Sequence, residues 1–76
     1  MVKYIIFNVI YRKDEWHVVR ARTGETEGRF SSKADAIERG RELAMREEMS
    51  QLRVKKMDGS IQSELTFGKD PRLIEG

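Results

Sequence analysis

Between Lys3 and Tyr11 the chain is rich in β-branched and aromatic residues, and both of its alternating sets are apolar. Ile5, Phe7, Val9 and Tyr11 form one set and Tyr4, Ile6 and Ile10 the other. A segment with that pattern and no helical stripe predicts a strand in the interior of a sheet rather than a solvent-facing edge. The pattern is demanding because the chain has only 76 residues, and a chain of that size hides only about 60% of the surface its unfolded form exposes. One small domain over 1–70 with a flexible tail at 71–76 is the expected organisation, since Arg72 to Gly76 has too little apolar content to require order.

There is no cysteine, so stability must come from packing, with oligomerisation as a further source of help, and the reading is cytoplasmic. The longest apolar run is broken by Asn8 and falls far short of the roughly 20 residues that span a bilayer. A signal peptide is disfavoured too, because Arg12-Lys13-Asp14-Glu15 follows directly with no small-residue cleavage site.

Trp16 to Arg22 predicts a second strand, the glycines at 24 and 28 a turn, and Arg29-Phe30 a brief third strand. Ser32 then stands three residues before Asp35, a pairing that caps the first turn of a helix and complements its dipole. The helix is expected from about Lys33 to about Glu48. Ala36, Ile37, Gly40, Leu43 and Ala44 share one side of it and should face the sheet, with Gly40 allowing close approach.

Asp58-Gly59 lies between two alternating runs, the signature of a two-residue type I′ hairpin. Its register would set Arg53 opposite Glu64, Lys55 opposite Gln62, Val54 opposite Ser63 and Leu52 opposite Leu65. Leu52, Val54, Ile61, Leu65 and Phe67 would then turn to the helix, leaving Arg53, Lys55, Gln62, Glu64 and Thr66 on the other face. The expected fold class is α+β: a small antiparallel β-sheet packed on one α-helix, in the order β-β-β-α-β-β.

The chemistry available is narrow. His17 is the sole histidine, with no nucleophile or orienting partner in evidence, so it reads as a structural residue. One histidine and no cysteine leave no expected metal site, and no cofactor motif is present, because Gly24 and Gly28 lack the lysine and hydroxyl of a phosphate loop. Glu47-Glu48 points its carboxylates about 100° apart on a helix. Catalysis is therefore not expected.

Arg20, Arg22, Arg53 and Lys55 are the residues of most interest. If the second strand turns its arginines away from the helix, these four form a basic surface able to meet phosphates. Trp16 and Val18 share parity with Arg20 and Arg22, however, so a core Trp16 would draw the arginines to the helix side unless a bulge intervenes. Trp16 reads more readily as a core anchor than as a base-stacking platform.

Taken together, Trp16-His17-Val18, Phe30 to Ile37, Asp58 to Ile61 and Thr66-Phe67-Gly68-Lys69-Asp70-Pro71 resemble a family of small prokaryotic proteins known only as a domain of unknown function. That resemblance implies a tryptophan strand, a capped helix with an Ala-Ile step, an Asp-Gly hairpin and an aromatic-Gly-x-Asp-Pro ending, with no activity attached. This chain differs from the pattern at Lys13-Asp14-Glu15, where a glycine turn is favoured, and at Gly40, where alanine is usual. A weaker similarity, through Trp16 and the helix entry from Phe30 to Ala36, is to the three-strand-plus-helix DNA-binding domains of plant transcription factors and some phage integrases. It implies a role for Arg20 and Arg22 in reading a groove.

Two readings follow. In the first the chain is a non-catalytic module that binds nucleic acid through the sheet face opposite the helix, using Arg20, Arg22, Arg53 and Lys55. In the second it is a protein-interaction or homodimerising domain using Tyr4, Ile6 and Ile10, because one helix cannot cover both sides of the first strand. No membrane or metal partner is expected.

Overall fold

The computed structural model describes residues 4–68. The expected tail at 71–76 lies outside them. Strand β1 (Tyr4–Arg12) is followed by β2 (Glu15–Arg20), β3 (Thr26–Phe30), helix α1 (Lys33–Met45), β4 (Met49–Lys55) and β5 (Ile61–Gly68). The fold is α+β, and the five strands form one sheet in the order β3-β2-β1-β4-β5.

The sheet is mixed, which corrects the expectation of an antiparallel one. β1 runs parallel to β4, with Tyr4 opposite Met49 and Val9 opposite Val54, while the other three neighbouring pairs are antiparallel. The reason is the connection between β3 and β4. Hairpins force antiparallel neighbours, but the segment between these two strands contains a helix, and a helical crossover is the connection that joins strands of the same direction. It delivers β4 beside β1, so the doubly apolar β1 occupies the centre of the sheet.

Parity decides the core. Ile5, Phe7 and Val9 of β1, Trp16 and Val18 of β2 and Leu52 and Val54 of β4 are buried with Ala36 and Ala44 of the helix. Ser32 caps the helix, its hydroxyl accepting from the Asp35 amide at 3.4 Å. The helix is shorter than expected, ending at Met45 with Arg46 as its cap. Buried Ser50 on β4 donates to the Ala44 carbonyl at 2.6 Å, adding to the Glu47 amide that also donates to it and tying the helix end to the sheet.

Gly40 is buried against β4 and β1. A Cβ there would stand 2.7 Å from Leu52 Cδ1 and 3.5 Å from Val9 Cγ2. The small residues Ala36, Gly40 and Ala44 are the buried ones of the helix, so its backbone itself approaches the sheet.

The type I′ turn falls elsewhere than at Asp58-Gly59. Lys13 and Asp14 both have positive φ, 52° and 64°, which makes the β1–β2 connection the two-residue type I′ turn. At Asp58-Gly59 only the glycine has positive φ, 91°. The Gly59 amide donates to the Lys56 carbonyl and the Lys56 amide to the Ser60 carbonyl, so the loop has three residues, a type I turn followed by a glycine. Asp58 prefers this arrangement because its Oδ1 accepts from both the amide and the hydroxyl of Ser60, at 2.9 and 2.6 Å.

A longer loop needs a compensating irregularity, and the register shifts between Val54 and Lys55. Arg53–Glu64, Val54–Ser63 and Leu52–Leu65 pair as expected, but Lys55 meets Ile61 instead of Gln62. Ile61 is therefore exposed beside Lys55 and not turned to the helix, and Gln62 accepts from Lys33 Nζ on the helix.

Candidate functional site

The face of the sheet opposite α1 carries no covering element among the described residues. On β1 it presents Tyr4, Ile6, Asn8, Ile10 and Arg12. Strand pairing adds Val19, His17 and Glu15 from β2, Met49, Gln51, Arg53 and Lys55 from β4, Arg29 from β3 and Glu64 and Thr66 from β5. Its centre is aliphatic and its surround is cationic. Ile6 and Ile10 are half-buried, whereas Tyr4 is 48% exposed.

This geometry divides the four basic residues singled out from the sequence. Arg53 and Lys55 lie on the outer face. Arg20 does not: it stands opposite Phe7, sharing the helix side with Trp16 and Val18, and its guanidinium carbon lies 5.0 Å from the Phe7 ring centre. Its Nε is 4.0 Å from Glu27, which the irregularity between Val18 and Val19 inserts into β3 as an extra residue. The bulge thus supplies Arg20 with a carboxylate and does not turn it outward. Arg22 lies beyond the end of β2, in the turn before Gly24.

Arg20 and Arg22 instead meet Tyr4 and Ile6 around an open cleft of about 700 Å³ at one end of the sheet, which Glu25 and Glu27 also line. Two carboxylates beside two guanidiniums leave that cleft without a net basic character. Arg20 and Arg22, to which the weaker resemblance to groove-reading domains pointed, thus stand at this cleft and apart from Arg53 and Lys55.

Arg12 and Arg29 replace them on the outer face. Arg12 has the parity of Ile6 and Ile10, so its orientation was readable from the sequence, whereas Arg29 is placed there by a strand pairing with His17 that no local pattern encodes. The ion pairs seen elsewhere, Arg20–Glu27 and Arg39–Glu42, are not on this face. Arg53 donates to Gln51 Oε1 at 2.9 Å, and Gln51 in turn donates to Glu64, so the Arg53 charge stays uncompensated by direct contact.

The large aromatic side chains are elsewhere. Trp16 is buried in the core, tilted against Tyr11 at 5.0 Å between ring centres, with Lys33 Nζ 4.8 Å above its ring. Tyr4 is the aromatic residue that the outer face retains. The arrangement suits phosphate contact more than base stacking.

His17 is also on this face yet is only 7% exposed. Its Nε2 lies 3.1 Å from the Arg12 carbonyl; a carbonyl only accepts, so Nε2 donates. Nδ1 is then a bare acceptor, buried without a partner, and Asn8 Oδ1 is in the same condition. Neither has a nucleophile beside it, and among the described residues no group of three His, Cys, Asp or Glu side chains is placed to hold a metal ion. No helix among them is long and apolar enough to cross a membrane.

No curated protein and no solved structure matches the chain. A family model described as "Uncharacterized protein conserved in bacteria (DUF2188)" matches residues 7–67, from the middle of β1 to the end of β5. With most of its length inside that match, the chain belongs to this family.

Proposed function

We propose that this domain is a non-catalytic module that binds the phosphate backbone of nucleic acid through its outer sheet face. The observation that carries the reading is the gathering of Arg12, Arg29, Arg53 and Lys55 on one uncovered face against two carboxylates, Glu15 and Glu64. Arg20 and Arg22 are not part of this surface. Contacts of this kind are sequence-tolerant and salt-dependent, each engaged phosphate adding about −0.9 to the slope of log affinity against log salt.

Fluorescence anisotropy with a short labelled duplex tests it. If all four cations engage, the slope is about −3.6, and Arg53→Ala reduces its magnitude by about 1 while Arg20→Ala leaves it unchanged. Absence of binding to single- and double-stranded nucleic acid at about 50 mM salt, where phosphate contacts are strong, would sink the proposal.

The exposure of Tyr4 beside half-buried Ile6 and Ile10 favours a second reading, a protein partner seated on that stripe. Such binding would be lost in Ile6→Lys and would vary little with salt.

A further inference from the structure

The two edges of the sheet are built differently. β3 is short, contains Gly28, and is irregular where it meets β2. Edges of that kind resist pairing with another chain. β5 is longer and pairs without interruption from Ser63 to Gly68 against Val54 to Met49. It has no proline or lysine, its single charge being Glu64. Among the described residues nothing pairs with its outer edge.

Its helix-side surface is also incompletely covered. α1 lies over β1, β2 and β4 and reaches β5 least. Leu65 is therefore 38% exposed although it faces the helix side opposite buried Leu52. Phe67 beside it is only partly buried and shares a shallow hollow with exposed Met45. A long regular edge with apolar side chains standing beside it is the feature that strand addition uses.

We infer that two copies of this chain join edge to edge, β5 pairing antiparallel with β5 of the second copy about a two-fold axis at Leu65. The sequence of the strand is self-complementary in that register. Leu65 meets Leu65 of the second copy, and Phe67 comes diagonally next to it, within reach of an apolar side chain. Glu64 stands opposite Thr66 of the second copy, whose hydroxyl it accepts from. An axis at Glu64 would instead set two carboxylates face to face, which is destabilising. The product is one continuous sheet with both helices on one side and both outer faces on the other.

The absence of cysteine allows a direct test. Leu65→Cys introduces a lone thiol that meets its own copy in this register. Mild oxidation is expected to give a disulfide-linked dimer in high yield from Leu65→Cys and little from Arg29→Cys on the β3 edge. Without cross-linking, sedimentation of the wild-type chain should show a shift from the 8.9 kDa monomer toward twice that mass as concentration rises, with dissociation in the micromolar to millimolar range expected of a small interface.

Leu65→Lys should remain monomeric while keeping its circular dichroism, and Ile6→Lys should still dimerise. A wild-type chain that stays monomeric at about 1 mM, or one whose dimer is lost in Ile6→Lys and kept in Leu65→Lys, would overturn the inference. All these measurements are made without nucleic acid, so their outcome is independent of the binding proposed for the outer face.

Discussion

Gly40→Ala isolates the contact that sets the distance between helix and sheet. At an exposed mid-helix position the change should stabilise by up to about 1 kcal/mol, because alanine is the better helix former. Here the added Cβ would stand 2.7 Å from Leu52 Cδ1 and 3.4 Å from Cδ2. Leu52 is fully buried between β1, β5 and the helix, so it cannot swing away without displacing Val9 or Val54. Overpacking of this kind costs about 1–3 kcal/mol. Set against the propensity gain, the net effect is a loss of about 1 kcal/mol, opposite in sign to the exposed case.

Leu52→Val removes the colliding methyl group, at a cost of about 1 kcal/mol when made alone. In the double variant the new Cβ occupies the vacated space, so the loss should be smaller than the sum of the two single losses by at least about 1 kcal/mol. Urea unfolding followed by the fluorescence of buried Trp16 measures all three variants against the wild type. Stabilisation by Gly40→Ala, or additivity within about 0.5 kcal/mol, would refute the close-approach argument. The same arithmetic says that alanine at this position, usual in the pattern the sequence resembles, calls for less bulk at position 52.

Three further outcomes are expected. Ser50→Ala removes the buried hydroxyl donor of the Ala44 carbonyl, which still accepts from the Glu47 amide, and should cost about 1 kcal/mol in the same urea assay, whereas a loss below about 0.5 would make that bond incidental. Lys13→Asn places in the type I′ turn a residue that tolerates positive φ and should raise the urea midpoint, a gain of about 0.5–1 kcal/mol, with no change in the denaturant slope. The side-chain hydrogen bond from Ser60, followed by that from its backbone amide, lowers the Asp58 pKa below its ordinary 3.8. The unfolded chain thus binds more protons through that window, so this contribution is present above pH 3.8 and is lost as pH falls through the folded value. Asp58→Asn should flatten the stability profile there and nowhere above about pH 5, and an unchanged acid limb would contradict it.

Much of this fold is written in local pattern. The two apolar parities of β1 announced an interior strand, Ser32 and Asp35 marked the helix start, and the Arg53–Glu64 and Leu52–Leu65 pairs followed from counting back from a turn. What local pattern lacks is information on strands distant in sequence. The parallel pairing of β1 with β4 is a property of the crossover as a whole, and it fixes the sheet as mixed. Turn type was misassigned for a related reason. Asp58-Gly59 has the residues of a type I′ turn, but the Asp58–Ser60 hydrogen bonds favour a longer loop, while the less conventional Lys13-Asp14 pair adopts type I′ between two well-registered strands.

The outer face was half legible. Arg53 and Lys55 followed from hairpin parity, and the parity of Trp16 warned that Arg20 would turn inward, as it does over Phe7. Arg29 could not be found, because its place depends on pairing across an irregular β2–β3 ladder. Its arrival beside His17 gives the face a cation that composition alone does not locate.

The most direct test of the central claim, that the open sheet face is where this domain binds, is amide chemical-shift mapping during titration with a short DNA duplex at low salt. The account predicts shifts clustered at Ile10, Arg12, Arg29, Arg53 and Lys55, with the helix from Ala34 to Glu42 unaffected. Shifts concentrated on the helix or around Arg20 and Arg22 at the cleft, or no shifts at all, would contradict it.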